Sequence, residues 1–314
     1  MNAPAHARPL VGIALKVIST LAFTAMATLV KLASDRFPSG EIVFFRSFFA
    51  VVPVLVWVAW LGHFPEVFAT RIIGSHLYRS AMGVTAMFCG FTALSYLPIA
   101  DATSIGYASP LLTVVFAVFL LGEKVHAYRW TAVAVGLVGV LVILSDYVGP
   151  EAEPTGSHSI GALFAIGGAV AGALAATQVR SLIRSEHAAT IVVYFSLFSS
   201  LFALATVPFG WVVPDFREAS GLILAGIFGG IGQVLLTQSY RYGEASVIAP
   251  FEYTSMLWVL VVSLLIFGTW PSGTMLVGTA IVIGAGLFII YREHRLGIEN
   301  SRARRAETPT TPLS

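Results

Sequence analysis

Four ionisable side chains stand inside long apolar stretches of this chain: Lys16, Lys31, Arg46 and Glu252. A charge at the centre of a lipid-spanning helix costs at least about 2.5–3.5 kcal/mol, so it faces a partner or a cavity unless it reaches the interface. Lys16 and Glu252 are of opposite sign and can pair or reach one cavity. Arg46, in Phe44-Phe45-Arg46-Ser47-Phe48-Phe49, carries a planar fork that can bind a carboxylate, a phosphate or a polarised carbonyl and stack on a ring. Snorkelling to head groups is the reading for Lys31, and the bland alternative for Arg46. Pro53, Pro110 and Pro250 interrupt helices and free carbonyls, which is tolerated where a cavity or a neighbouring helix satisfies them. Pro250 with Phe251, Glu252 and Tyr253 forms the best candidate lining of a pathway. Tyr107, Tyr194, Gln233 and Trp258 are further candidates, as are Gln178 and Gln238, each also suited to plain interhelix packing. No Walker-type Gly-Lys-Ser/Thr loop, His-Glu-x-x-His, Gly-x-Ser-x-Gly elbow or paired-cysteine spacing is present. The expectation is therefore no catalytic residue, no metal and no cofactor.

The elements that must carry these groups follow from composition. Of 314 residues, 57% are hydrophobic and 11% charged, against about 25% charged in soluble domains. A water-soluble globule of this size has too much surface to hide so much apolar side chain. A disordered chain, a disulfide scaffold and a nucleic-acid binder are excluded, and a formal net charge of +2 implies no polyanionic partner. Cys89, the single cysteine, cannot form an internal disulfide. The partner is the lipid bilayer, and 22 Phe, 10 Tyr and 6 Trp suffice for interfacial belts and an apolar pore lining.

A spanning helix needs about 20 mostly apolar residues. That ruler predicts ten spans at 10–33, 39–61, 73–96, 100–121, 130–146, 159–180, 188–209, 219–240, 245–267 and 272–291. The first carries Lys16 and Lys31 and reads as a retained helix rather than a cleaved leader. Connections are short, as at Gly122-Glu123-Lys124 and Gly243-Glu244, and residues 292–314 read as a disordered cytoplasmic tail. With residues 1–9 inside, thirteen Lys and Arg fall on inner segments, Arg71 and Arg79 among them, against Arg36 and Arg217 outside. Positive residues are retained on the cytoplasmic side, so both termini are expected to be cytoplasmic in a bacterial inner membrane, with 147–158 a periplasmic linker.

The chain also resembles itself. At an offset of 149, Gly12, Ala22, Thr28, Ile42 and Ser47 match Gly161, Ala171, Thr177, Ile191 and Ser196; at 146, Gly122 matches Gly268. Five spans per half is odd, so the second half enters the membrane upside down. The predicted fold is all-α, two inverted five-helix repeats over 10–146 and 159–291, an architecture in which transporters place substrate near the midplane at the repeat interface. Lys16 corresponds to Ala165, Arg46 to Phe195 and Glu252 to Ser109. A charge present in only one half is not required by the shared scaffold. By helical rise, Lys16 lies roughly 9 Å and Glu252 roughly 10 Å from the inner end of their spans, so the two share a level.

Ala100-Asp101-Ala102-Thr103, Ala108-Ser109-Pro110-Leu111-Leu112, Leu121-Gly122-Glu123-Lys124 and Glu244-Ala245-Ser246-Val247-Ile248-Ala249-Pro250-Phe251-Glu252-Tyr253-Thr254 resemble the drug/metabolite transporter superfamily, in its ten-helix bacterial form with two EamA domains. Thr269 stands where related chains often place an acidic residue. The resemblance implies a secondary transporter of a small organic metabolite working by alternating access. An aromatic-rich lining with few fixed charges suits riboflavin uptake best. An exporter of aromatic or other amino acids or metabolites comes next, then an S-adenosylmethionine transporter. A membrane enzyme acting on lipid head groups is the distant alternative, since it would need a polar cluster at one interface.

Overall fold

A computed structural model of the chain describes residues 9–60, 62, 66–122, 125–147, 157–183, 185–242 and 245–307. Its helices are α1 (Pro9–Ala33), α2 (Ser39–Trp60), α3 (Ile73–Tyr96), α4 (Ile99–Gly106), α5 (Ala108–Leu121), α6 (Ala127–Leu144), α7 (Ser157–Leu182), α8 (Ala188–Leu204), α9 (Phe216–Tyr242), α10 (Ala245–Ile248), α11 (Thr254–Leu265) and α12 (Gly273–Glu307). α4 and α5 make the fourth predicted span, and α10, a 3₁₀ segment Ala249–Tyr253 and α11 make the ninth. Seven of these stretches are long and apolar enough to cross a membrane, and Ala189–Leu204 and Ala249–Leu265 are shorter apolar helices. α3 is more polar because it carries Ser75, His76, Arg79, Ser80, Thr85, Thr92 and Ser95.

The packing has the symmetry that a duplicated, inverted scaffold demands. α1 packs on α9 as α7 packs on α3; α2 packs on α9 as α8 packs on α3; α5 packs on α7 as α11 packs on α1. α2 with α8 and α6 with α12 each join an element to its own counterpart, and α4 packs on α11 across the repeats. Gly122 caps α5 with φ of 65°, and its repeat mate Gly268, three residues past the end of α11, has φ of 62°, a left-handed conformation that favours glycine. Apolar side chains such as Val56, Phe119, Leu163, Leu201 and Leu265 stand exposed on the flanks. In water such a surface would aggregate; in lipid it is the required coat.

Three local expectations are corrected. α2 runs unbroken through Pro53, whereas the fourth span breaks at Tyr107, just before Pro110, and the ninth tightens to 3₁₀ around Pro250. Lys31 does not reach for head groups: its Nζ donates to the Leu94 carbonyl at 2.5 Å, one of the carbonyls that the end of α3 leaves without a helical partner. The side chain of its repeat mate Arg180 lies outside the described residues. α12 continues to Glu307, past the start of the expected disordered tail, because Ala, Arg and Glu sustain a helix. Residues 308–314, like Arg8, Glu123-Lys124, Gly243-Glu244 and 148–156 of the linker, lie outside the described residues.

The two ends of the bundle differ. At the end carrying the α1–α2 and α8–α9 connections, Arg36 pairs with Glu218 across the repeats. There Glu41, 1% exposed, accepts a hydrogen bond from Val212 N at 2.9 Å. Phe44 packs against Phe48 and Trp211 with centroids 5.4 and 5.3 Å away. Nearby, Ser272 donates to Asp146 at 2.7 Å, and burial pushes up the Tyr147 phenol beside Asp101. This end is closed. The opposite end, carrying the α2–α3 and α7–α8 connections, holds the cavity described next.

Candidate functional site

A cavity of about 880 Å³ lies between the repeats, within the range of small-molecule sites. Gly172, Ala175 and Ala176 of α7 make room by being small, and Gln233, Thr237 and Tyr240 enter from α9. Their i, i+4, i+7 spacing puts them on one helix face. Trp57, Arg79 and His187 complete much of the wall.

Beyond Tyr240 lies the ion pair expected from depth. Lys16 Nζ donates to Glu252 Oε2 and sits 5.9 Å from the Tyr240 ring centroid. Lys16 is 1% exposed, while Glu252 keeps 44% of its side chain accessible, so the carboxylate is the reachable half. Because the ninth span is 3₁₀ at Ala249–Tyr253, Glu252 is aimed at α1. Ser255 Oγ donates to the Glu252 carbonyl at 2.7 Å and shares 2.6 Å with the Tyr107 hydroxyl. Tyr107 meets the Tyr253 ring edge-on at 5.3 Å. Trp258 Nε1 donates to Thr20 Oγ1 at 3.2 Å, and Thr20 shares a 3.0 Å hydrogen bond with Thr254. Lys16, Tyr107, Glu252, Tyr253 and Trp258 thus come together where both broken spans meet α1, with Pro250 and Phe251, both half-buried, in the same 3₁₀ segment.

Other candidates fall elsewhere. Gln233 belongs to the cavity wall. Pro110 is exposed, away from this cluster. Tyr194 stacks on His76 with centroids 4.8 Å apart and donates to the Phe68 carbonyl at 2.9 Å, beside Glu186, which accepts from Thr70 at 2.7 Å. Arg46 does not snorkel. It is 7% exposed and lies 5.8 Å from the ring of its own repeat mate, Phe195.

The residue that sequence reasoning passed over is Arg79. Counted among inner-segment cations, it lines the cavity with its Cζ 3.5 Å from the Phe195 centroid. Its position inside the third predicted span was the available signal. Among the described residues, no group of three His, Cys, Asp or Glu stands ready to hold a metal ion.

Inverted helical repeats enclosing a polar-studded cavity define a membrane transporter. The chain belongs to the EamA-like transporter family, which it matches over residues 10–145 and 159–292, within the drug/metabolite transporter superfamily. It is 28% identical over 275 residues to a pseudopaline exporter of Pseudomonas aeruginosa, covering 87% of this chain and 94% of that one. It is 26% identical over 285 residues to an S-adenosylmethionine uptake transporter of Rickettsia bellii, covering 91% and 95%. A solved structure with 19% identity superposes with a TM-score of 0.64 over 91% of this chain and 98% of that one, a likeness of fold. Family and relatives are transporters rather than enzymes.

Proposed function

We propose that the protein is an inner-membrane secondary transporter that moves a small organic metabolite by alternating access, with the closed end periplasmic and the cavity facing the cytoplasm. The observation that carries this reading is the cavity between inverted repeats near one end of the bundle, with Arg36–Glu218 and Glu41–Val212 contacts tying the other end together. The Lys and Arg bias sets the orientation, with both termini inside. Among solutes, S-adenosylmethionine has the support of named relatives. Riboflavin, favoured on aromatic content, is named by neither of the relatives described above, and export of another metabolite has the Pseudomonas relative behind it.

The test is counterflow in proteoliposomes with labelled S-adenosylmethionine, riboflavin and aromatic amino acids. Exchange of S-adenosylmethionine above that of empty vesicles is expected; no flux of any solute would reject the transport reading. The sealed end gives a second prediction. Glu41→Ala removes a charge-assisted bond to Val212 N, worth about 1.5–3 kcal/mol, and shifts the population toward opening there. In a Cys89→Ser background, maleimide labelling of Phe44→Cys from the periplasmic side should speed up several-fold when Glu41→Ala is added. An unchanged rate would mean that this contact does not hold the end shut.

A further inference from the structure

We propose that Arg46 and Arg79 form an oxyanion subsite that takes the carboxylate of the transported solute, an assignment that rests on the transport reading and names the chemical class of its substrate. Both guanidiniums address one ring, with Cζ 5.8 and 3.5 Å from the Phe195 centroid. Arg46 Nε and Arg79 Nε and Nη1 are buried and donate to no acceptor. Among the described residues neither arginine joins an ion pair, whereas other buried charges are answered: Lys16 by Glu252, Glu41 by Val212 N, Asp101 by the Tyr147 hydroxyl.

Two like charges held against one phenyl ring, with buried N–H groups and no counter-ion among the described residues, are costly, and stability gives no reason to keep them. An arriving anion supplies the reason. The guanidinium fork matches the two oxygens of a carboxylate, and the face of Phe195 steadies both cations while offering them no acceptor to compete with it. Two glycines give the arginines their space. A Cβ on Gly83 would stand 2.6 Å from Phe195 Cε2 and 3.3 Å from Arg79 Nη1, and one on Gly229 would stand 3.2 Å from Arg46 Nε. Arg79 already lines the cavity, so an anion entering there meets the subsite directly, with Gln233 and Tyr240 left for the rest of the solute.

Succinate serves as the probe. The full chain in phosphatidylcholine nanodiscs is melted with succinate and with sodium chloride of equal ionic strength, as wild type, Arg46→Gln and Arg79→Gln. Succinate should raise the wild-type melting temperature by about 2–4 °C and leave both variants unmoved. Without it, the variants should melt at or above the wild type, because an unanswered buried charge is gone. Absence of the succinate effect, its persistence in the variants, or variants that melt well below wild type without anion would each overturn the subsite. A response to phosphate but not succinate would overturn the carboxylate assignment. Counterflow separates the two readings: succinate protection with no flux upholds the subsite and sinks transport, and unchanged flux in Arg79→Gln sinks the subsite alone.

Discussion

Glu252→Gln is expected to destabilise the protein and to abolish transport, whereas Lys16→Met is expected to abolish transport at a smaller cost in stability. The asymmetry comes from burial. Lys16 is 1% exposed and Glu252 44%, so losing the carboxylate strands an ammonium where water cannot reach it. Breaking a fully buried pair costs about 3–5 kcal/mol, and Glu252→Gln should approach that range. Losing the lysine leaves a carboxylate that water still reaches, and the cost falls correspondingly. The double variant Lys16→Met/Glu252→Gln carries no stranded charge and should recover most of the stability without recovering flux. Denaturant unfolding of the three variants beside counterflow gives the answer. Full flux in the double variant would reduce the pair to a structural tie.

The second large effect is expected at a helix crossing. A Cβ on Gly230 would stand 2.4 Å from Pro53 Cγ, 2.7 Å from the Ala50 carbonyl oxygen and 3.0 Å from its Cα. Two of those three atoms are backbone, so no side-chain rotation relieves the clash and α9 must move off α2. Overpacking of this kind costs about 1–3 kcal/mol where side chains can adjust, and Gly230→Ala should reach the upper part of that range. Gly221→Ala on the same helix, with nothing within 4 Å, is the control and should melt as the wild type does. Equal melting of the two variants would show that α2 and α9 are not in the close contact described.

The scaffold was legible because lipid imposes a coarse grammar: spans about 20 residues long, charges at their ends, and odd-numbered halves that invert. The expected gathering of Lys16 and Glu252 came from depth arithmetic, which works because helical rise is nearly constant. What escaped was direction around a helix. Arg79 lies close enough to the inner end of its span that counting charges assigned it to the interface, and only packing shows it turned toward Phe195. Lys31 escaped for the same reason, its length sufficing for either a head group or the Leu94 carbonyl. Pro53 was read as a break because sequence does not reveal that Gly230 makes a seat for its ring. Tyr194 and Pro110 share residue type with Tyr107, Tyr253 and Pro250 of the Lys16–Glu252 cluster but not their place, and type alone carries no place.

The pairing of Arg46 with its own counterpart Phe195 has a consequence for energetics. Were the halves chemically identical, exchanging them by the two-fold rotation that relates them would turn a conformation open at one side into the one open at the other, and the two would be equally populated. Arg46 facing a phenyl ring, and Lys16 and Glu252 facing each other where the other half has Ala165 and Ser109, remove that equivalence. Under the alternating access proposed above, the resting protein leans to one side of the membrane before any solute or gradient acts on it, and a bound solute works against a slope that the sequence has built in.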